Sequence, residues 1–403
     1  MQAPAAAPFF FNPFDEATRR DPYRLFARAR REHPVWRHEG LPVVSVFRHA
    51  DCQAILRDPQ TWSSVFPTPP GFAPEDVPRS MLVMDPPEHT RLRGLVNLAF
   101  TPRRIRQLAP RIEAIAHELL DAALAWREVD LVEALSYPLP VVVIAELIGV
   151  PAEDRAQFKE WSDALVAPLG TAFFEVAPPE RVATLRRVRA EIEAYFVRLV
   201  EARRREPRDD LLSALVAAEL EGQHLSFAEL LAMLILLLVA GNETTTHLIG
   251  NAVLALLAHP QALATLRANP ARVPAAVEEV LRFSSPVQMD PRLATRDARL
   301  HDVTIAAGEV ALCWLGAANR DEAVFDHPEV FDIGRASGPN LAFGFGPHYC
   351  LGASLATLEA EVALRVLLAR TRRFARVDEV PLPIPPSIVF RGVTSLPVAL
   401  EPA

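Results

Sequence analysis

Lysine and cysteine are scarce in this 403-residue chain. Lys159 is the only lysine, so nearly every basic side chain is an arginine. A net charge of −8 argues against nucleic acid as a partner. The three cysteines, Cys52, Cys313 and Cys350, form no CxxC and no even set. That excludes a disulfide scaffold and a cysteine-rich zinc site, and it suits a reducing cytoplasm. The opening stretch, "MQAPAAAPFFFNPF", has no basic start and no long apolar segment, so neither signal peptide nor membrane anchor is expected. The longest apolar run, "LLAMLILLLVA" (230–240), falls well short of the ~20 residues of a membrane span. It reads as a helix buried on all sides in a soluble protein. Repeats, flexible linkers and low-complexity blocks are also lacking.

Half of the residues are hydrophobic, enough for a large core. The 37 prolines are dispersed and punctuate helices. Helical periodicity covers 22–32, 49–57, 87–99, 103–126, 138–149, 152–166, 180–204, 209–219, 226–257, 260–267, 271–283 and 353–370. Strand-like stretches are few: "PVVSVF" (42–47) after "VWRHEG", then 303–316 and 387–400. The expected fold is mainly α with small peripheral β-sheets, a single domain over 1–403.

Cys350 stands in "FGFGPHYCLG" (343–352), just ahead of a helical run. Gly344-x-Gly346 is not a dinucleotide loop, because Tyr349 takes the place of a third glycine and Pro347 intervenes. Free N–H groups and the positive dipole end of a helix start stabilise a thiolate. Gly346 and Gly352 let the backbone approach something flat and bulky, and Phe343 can shield the sulfur. A thiolate held in this way is a nucleophile or a metal ligand; an inert buried cysteine is the plainer reading.

The stretch "FGFGPHYCLGASLA" resembles the haem-binding loop of the cytochrome P450 family, Phe-Gly-x-Gly-x-His-x-Cys-x-Gly. The resemblance runs from "DPYRLFARARREHPVW" (21–36) to "FRGVTSLPV" (390–398). It implies a P450-like fold around haem b, with Cys350 as the iron's thiolate ligand. Such a ligand donates electron density and favours O–O cleavage. By the same resemblance, Phe343 and Gly352 belong to the haem loop and His348 binds a propionate. His89 and Arg93 of "PPEHTRLRGLVNLAFTPRR" (86–104) and Arg292 take the other propionate positions. "EEVLR" (278–282) matches the family's buried Glu-x-x-Arg pair, Glu279 and Arg282, joined by Arg335 from a later meander in a structural role.

"AGNETT" (240–245) interrupts the apolar run. Glycine weakens a helix interior, and a carboxylate there needs a partner. One reading is a helix end at Gly241. The family reading is a groove at Ala240 and Gly241 that admits dioxygen over the haem. Thr244 then donates a hydrogen bond to the oxygen being reduced, and Glu243 relays protons from solvent.

The implied activity is a ferredoxin-dependent monooxygenase reaction, inserting one atom of O2 into a lipophilic substrate by hydroxylation or epoxidation. A fatty acid, terpenoid, steroid or macrolide-like molecule would fit. The expected pocket comprises 64–84, 163–185, Val239, Ala240, Thr244, Val287, Met289, Val389 and Phe390, with Arg79 a possible carboxylate anchor. Expected partners are ferredoxin and an NAD(P)H-dependent ferredoxin reductase, for a cytoplasmic monomer that binds no membrane. Ferredoxin would dock near Cys350, on basic residues drawn from Arg103, Arg104, Arg106, Arg370, Arg372 and Arg373. Alternatives are a peroxide-dependent or non-oxygenating haem-thiolate enzyme, and a haem protein without chemistry. A non-haem metal enzyme built on Glu221-x-x-His224 is a third; a di-iron bundle needs two such motifs.

Overall fold

Local sequence signals start and stop the helices. Ser226 and Glu229 form a reciprocal capping box, Oγ accepting from the Glu229 N–H at 3.3 Å and Oε2 from the Ser226 N–H at 2.8 Å. Gly149 ends Pro138–Ile148 at φ 89°, in the left-handed region glycine enters freely. The computed structural model describes residues 9–77, 79–166 and 177–403.

Seven helices matter to the site: α1 (His49–Arg57), α2 (Glu88–Ala99), α3 (Ala109–Leu124), α4 (Phe227–Ala240), α5 (Asn242–Ala258), α6 (Val273–Phe283) and α7 (Ala353–Arg370). α7 packs against α3, α5 and α6. Ile112, Leu234, Val253, Val277 and Leu364 join these helices in one large apolar core.

A five-stranded sheet lies beside the helices. In chain order its strands are β1 (Val35–Arg37), β2 (Val43–Val46), β3 (Trp62–Ser63), β4 (Asp290–Ala294) and β5 (Val310–Cys313). Their spatial order is β1-β2-β5-β4-β3; β2 and β5 run parallel and the other pairs antiparallel. A three-stranded sheet joins Thr371–Arg376, Pro397–Pro402 and Glu128–Asp130. Phe11, Phe26, Phe47 and Trp314 form an aromatic cluster against the larger sheet, with Phe11 and Trp314 edge-on at 5.1 Å.

Several expectations shift. The run 103–126 splits into Pro102–Gln107 and α3, because Pro110 cannot sit inside one continuous helix. Of 387–400, only Pro397 onward is a strand; Phe390 makes a single bridge to Val287. The run 303–316 yields Val303–Ile305, β5 and a short helix, Leu315–Ala318.

α4 and α5 together are long and apolar enough to cross a membrane by length and composition alone. Leu230, Met233, Leu234, Leu237 and Leu238 are nevertheless buried inside the molecule. Burial on all sides is corrected on one face: Leu236 and Val239 are half-buried and Ala240 is exposed.

Candidate active site

The loop before α7 is held open by its backbone. Gly344 and Gly346 have φ of 71° and 73°, where a side chain is strained. A Cβ on Gly346 would stand 2.5 Å from the Leu56 carbonyl oxygen of α1. The Arg57 guanidinium lies over the Phe345 ring at 4.9 Å. The Cys350 N–H donates to the Phe343 carbonyl at 2.9 Å. Burial pushes the Cys350 thiol up from its ordinary value, while the N–H groups of Gly352 and Ala353 and the charge of Arg93 draw it back. The residue still reaches solvent from within the fold.

A basic cluster adjoins this loop. The rings of His89 on α2 and His348 lie 4.1 Å apart. Burial, then the nearby His89, Arg292 and Arg93, push His348 down to about 3. Burial also lowers His89, with Arg93 adding to it. Arg292, on β4, is 4 % exposed and pairs with Asp290. Arg93 has no ion-pair partner among the described residues. His89 Nδ1 and His348 Nε2 are buried without hydrogen-bond partners there. Buried polar atoms normally have partners, and crowded cations call for anions. A flat group bearing two carboxylates satisfies this donor set, so the residues fit haem.

At the α4–α5 junction the helix does not end. Gly241 keeps helical angles, φ −82° and ψ −23°, and its N–H donates to the Leu237 carbonyl at 3.3 Å. The Thr244 hydroxyl donates to the Ala240 carbonyl at 2.8 Å, a side-chain bond that locally disturbs a helix. Glu243 Oε1 lies 3.4 Å from His247 Nε2. Asn242 points elsewhere, donating to Ser162 Oγ at 2.9 Å.

The structure brings Glu279, Arg282 and Arg335 together. Arg282 donates to both Glu279 oxygens, at 2.8 and 2.7 Å, and Arg335 lies 3.3 Å from the same carboxylate. Arg282 also donates to the carbonyls of Asn319, Pro328 and Val330. This network ties α6 to the segment leading into the cysteine loop.

The pocket residues divide. Val239, Thr244, Val287 and Phe390 are half-buried, with Ala240 exposed beside them. Met289 is 1 % exposed and packs in the aromatic cluster with Phe11 and Trp314. Val389 is half-buried against that same cluster. Part of 163–185, namely 167–176, lies outside the described residues. The segment 64–84 is tied to helix Pro179–Arg205 by Asp76, which accepts from Arg186 at 2.6 and 2.8 Å. Arg79 is spent on an exposed pair with Glu88.

The basic candidates for partner docking also divide. Arg370 pairs with Asp121, Arg372 and Arg373 with Glu401, and Arg104 with Asp209. Arg103 and Arg106 are exposed without ion pairs among the described residues. Arg106 lines a groove with Phe343 and Tyr349, beside the cysteine loop. Glu221 and His224 sit on a small exposed hairpin. His247 escapes a motif-based reading; its one sequence signal is the four-residue spacing from Glu243.

The family model described as Cytochrome P450 matches residues 1–391. The chain is 42% identical over 405 residues to cytochrome P450 107B1 of Saccharopolyspora erythraea, covering 96% of each. Among solved structures it resembles CYP109Q5 from Chondromyces apiculatus, at 41% identity and TM-score 0.89, covering 98% of both chains. It also resembles CYP109E1 from Bacillus megaterium in complex with testosterone, at 36% identity and TM-score 0.85, covering 94% of this chain and 99% of that one. A buried basic cluster beside a thiol loop, under a fold shared along nearly the whole chain, therefore has a plain explanation: this chain belongs to the cytochrome P450 family.

Proposed function

We propose that Cys350 is the thiolate ligand of haem b and that His89, Arg93, Arg292 and His348 hold its propionates. The observation that carries this is the convergence of these basic groups, with two buried nitrogens that have no partner among the described residues, beside the cysteine loop. Haem b, when bound, supplies the iron at which O2 is reduced and one oxygen atom is passed to substrate. The protein is a monooxygenase of lipophilic molecules. Phe343 and Gly352 complete the loop that receives the haem.

Thr244 and Glu243 deliver protons. The Thr244 hydroxyl can leave the Ala240 carbonyl to donate into the site, and Glu243 can shuttle protons to it. Val239, Ala240, Val287 and Phe390 form apolar walls against substrate. The testosterone bound by the CYP109E1 relative supports a substrate of steroid-like size and polarity. The acid–alcohol pair favours the O2-dependent route over a peroxide-dependent one.

Electrons come from a ferredoxin reduced by an NAD(P)H-dependent reductase, in the cytoplasm. Arg106, beside the cysteine loop, and Arg103, both without ion pairs among the described residues, support docking of an acidic partner there. The chain acts as one domain and as a monomer, its two main sheets each joining segments distant in sequence.

The deciding experiment is the absorption spectrum of the reduced protein under carbon monoxide. A long-wavelength Soret band, lost in Cys350→Ser, is expected. A short-wavelength band persisting in fresh, substrate-bound protein overturns the assignment. Faster product formation with hydrogen peroxide than with ferredoxin, reductase and NADPH would reject the O2-dependent route.

A further inference from the structure

His247 is 3 % exposed on α5, one turn beyond Glu243. Both its ring nitrogens, and Glu243 Oε2, are buried with no hydrogen-bond partner among the described residues. Its Nε2 faces Glu243 Oε1 at 3.4 Å. Its other nitrogen, Nδ1, faces Gly392: a Cβ built there would stand 2.2 Å from Nδ1. The absent side chain is what makes room for the imidazole.

Gly392 lines a cavity of about 270 Å³, together with Asn251, Phe390, Gln288, Thr18 and Arg19. Asn251 lies one turn beyond His247 on the same helix. The imidazole is thus flanked by Glu243 on one side and by cavity-lining residues on the other. A buried histidine with both nitrogens unengaged is costly unless each finds a partner. His247 does not itself line the cavity; the carboxylate faces Nε2, and water from the cavity must pass Gly392 to reach Nδ1.

We propose that His247 is a second relay residue, passing protons from the cavity behind Gly392 to Glu243. Imidazole suits this step because it accepts a proton at one nitrogen and releases one from the other. A proton from cavity water, resupplied by bulk solvent, forms an N–H bond at Nδ1. The resulting imidazolium breaks its Nε2–H bond and an O–H bond forms on Glu243 Oε1. Once Glu243 has passed its proton on, a water delivers a proton to Nε2 and the Nδ1 proton leaves to cavity water, which restores the starting tautomer. No oxidant or reductant is consumed. His247 acts through Glu243, so it is a positioning and relay residue.

The inference rests on the reading of Cys350 as haem ligand, and the test separates the two. His247→Gln keeps polarity and approximate size but cannot ionise; His247→Phe keeps a ring without nitrogens. Both variants and the parent are compared in the ferrous–carbon monoxide form. A parent lacking the long-wavelength band overturns the haem reading and this inference with it. With the band intact in all three, the ferredoxin-driven reaction is followed for product and hydrogen peroxide. Both variants are expected to lose about tenfold more electrons to peroxide and to show a larger solvent deuterium isotope effect. His247→Gln behaving as parent in both respects overturns the relay. A readout independent of turnover is 15N-histidine NMR of the diamagnetic ferrous–carbon monoxide form. Glu243→Gln is expected to shift the His247 imidazole resonances, and unchanged resonances overturn the contact.

Discussion

The Leu56 carbonyl oxygen and Gly346 are in such close approach that a Cβ on the glycine would lie 2.5 Å from that oxygen. The backbone of α1 is therefore the back wall of the cysteine loop, and Gly346 is required twice over, by φ of 73° and by space.

Gly346→Ala is expected to reduce haem retention and stability, by about 1–3 kcal/mol from backbone strain alone, with the clash in addition. Gly222→Ala is the control, because its φ is 76° but nothing lies within 4 Å. Denaturant midpoints and the haem-to-protein absorbance ratio measure both. Equal losses in the two variants would mean the Leu56 wall is immaterial.

Glu279→Ala is expected to cost about 3–5 kcal/mol, since it leaves buried Arg282 without its carboxylate. Arg335→Ala should cost less, because its guanidinium is more exposed and is also held by the Asp326 and His327 carbonyls. Urea unfolding of both variants gives the order; the reverse order would contradict the network described.

His348 should make the haem-free protein acid-sensitive. Its folded-state pKa is pushed down to about 3, whereas an unfolded histidine protonates near 6.5. The unfolded state therefore takes up a proton that the folded state refuses, and stability falls as pH drops from about 6.5 toward 3. His348→Gln should flatten that part of the profile, and haem carboxylates should do so in the parent. Parallel profiles for haem-free parent and variant between pH 7 and 5 would refute the assignment.

Glu359 on α7 is pushed up to about 8 by burial alone, and its Oε2 has no partner among the described residues. It is protonated in the fold at neutral pH. Its contribution is fully present below the ordinary glutamate range and is lost as pH rises through about 8. Glu359→Gln, an isostere of the protonated acid, should match the parent at about pH 4, pull ahead as pH rises toward about 8, and melt several degrees higher at about pH 9. A constant difference in Tm across that range would exclude ionisation as the cause.

Much of this protein was legible without coordinates. Helical periodicity is a local property, so α1, α7 and most other helices fall where the apolar spacing puts them. The cysteine loop and the Glu279–Arg282 pair are short contiguous motifs, readable for the same reason. What only the tertiary structure decided depends on long-range contact. Val287 and Met289 are two residues apart, yet Val287 is half-buried against the cluster of Val44, Cys52 and Cys313 while Met289 fills an aromatic cluster built from residues 9–47 and 314. Arg106 has no ion pair among the described residues, while Arg370 is neutralised by Asp121, 249 positions away. His247 gains its second neighbour from Gly392, far along the chain. Periodicity says which side chains are apolar or charged; packing alone says what each one meets.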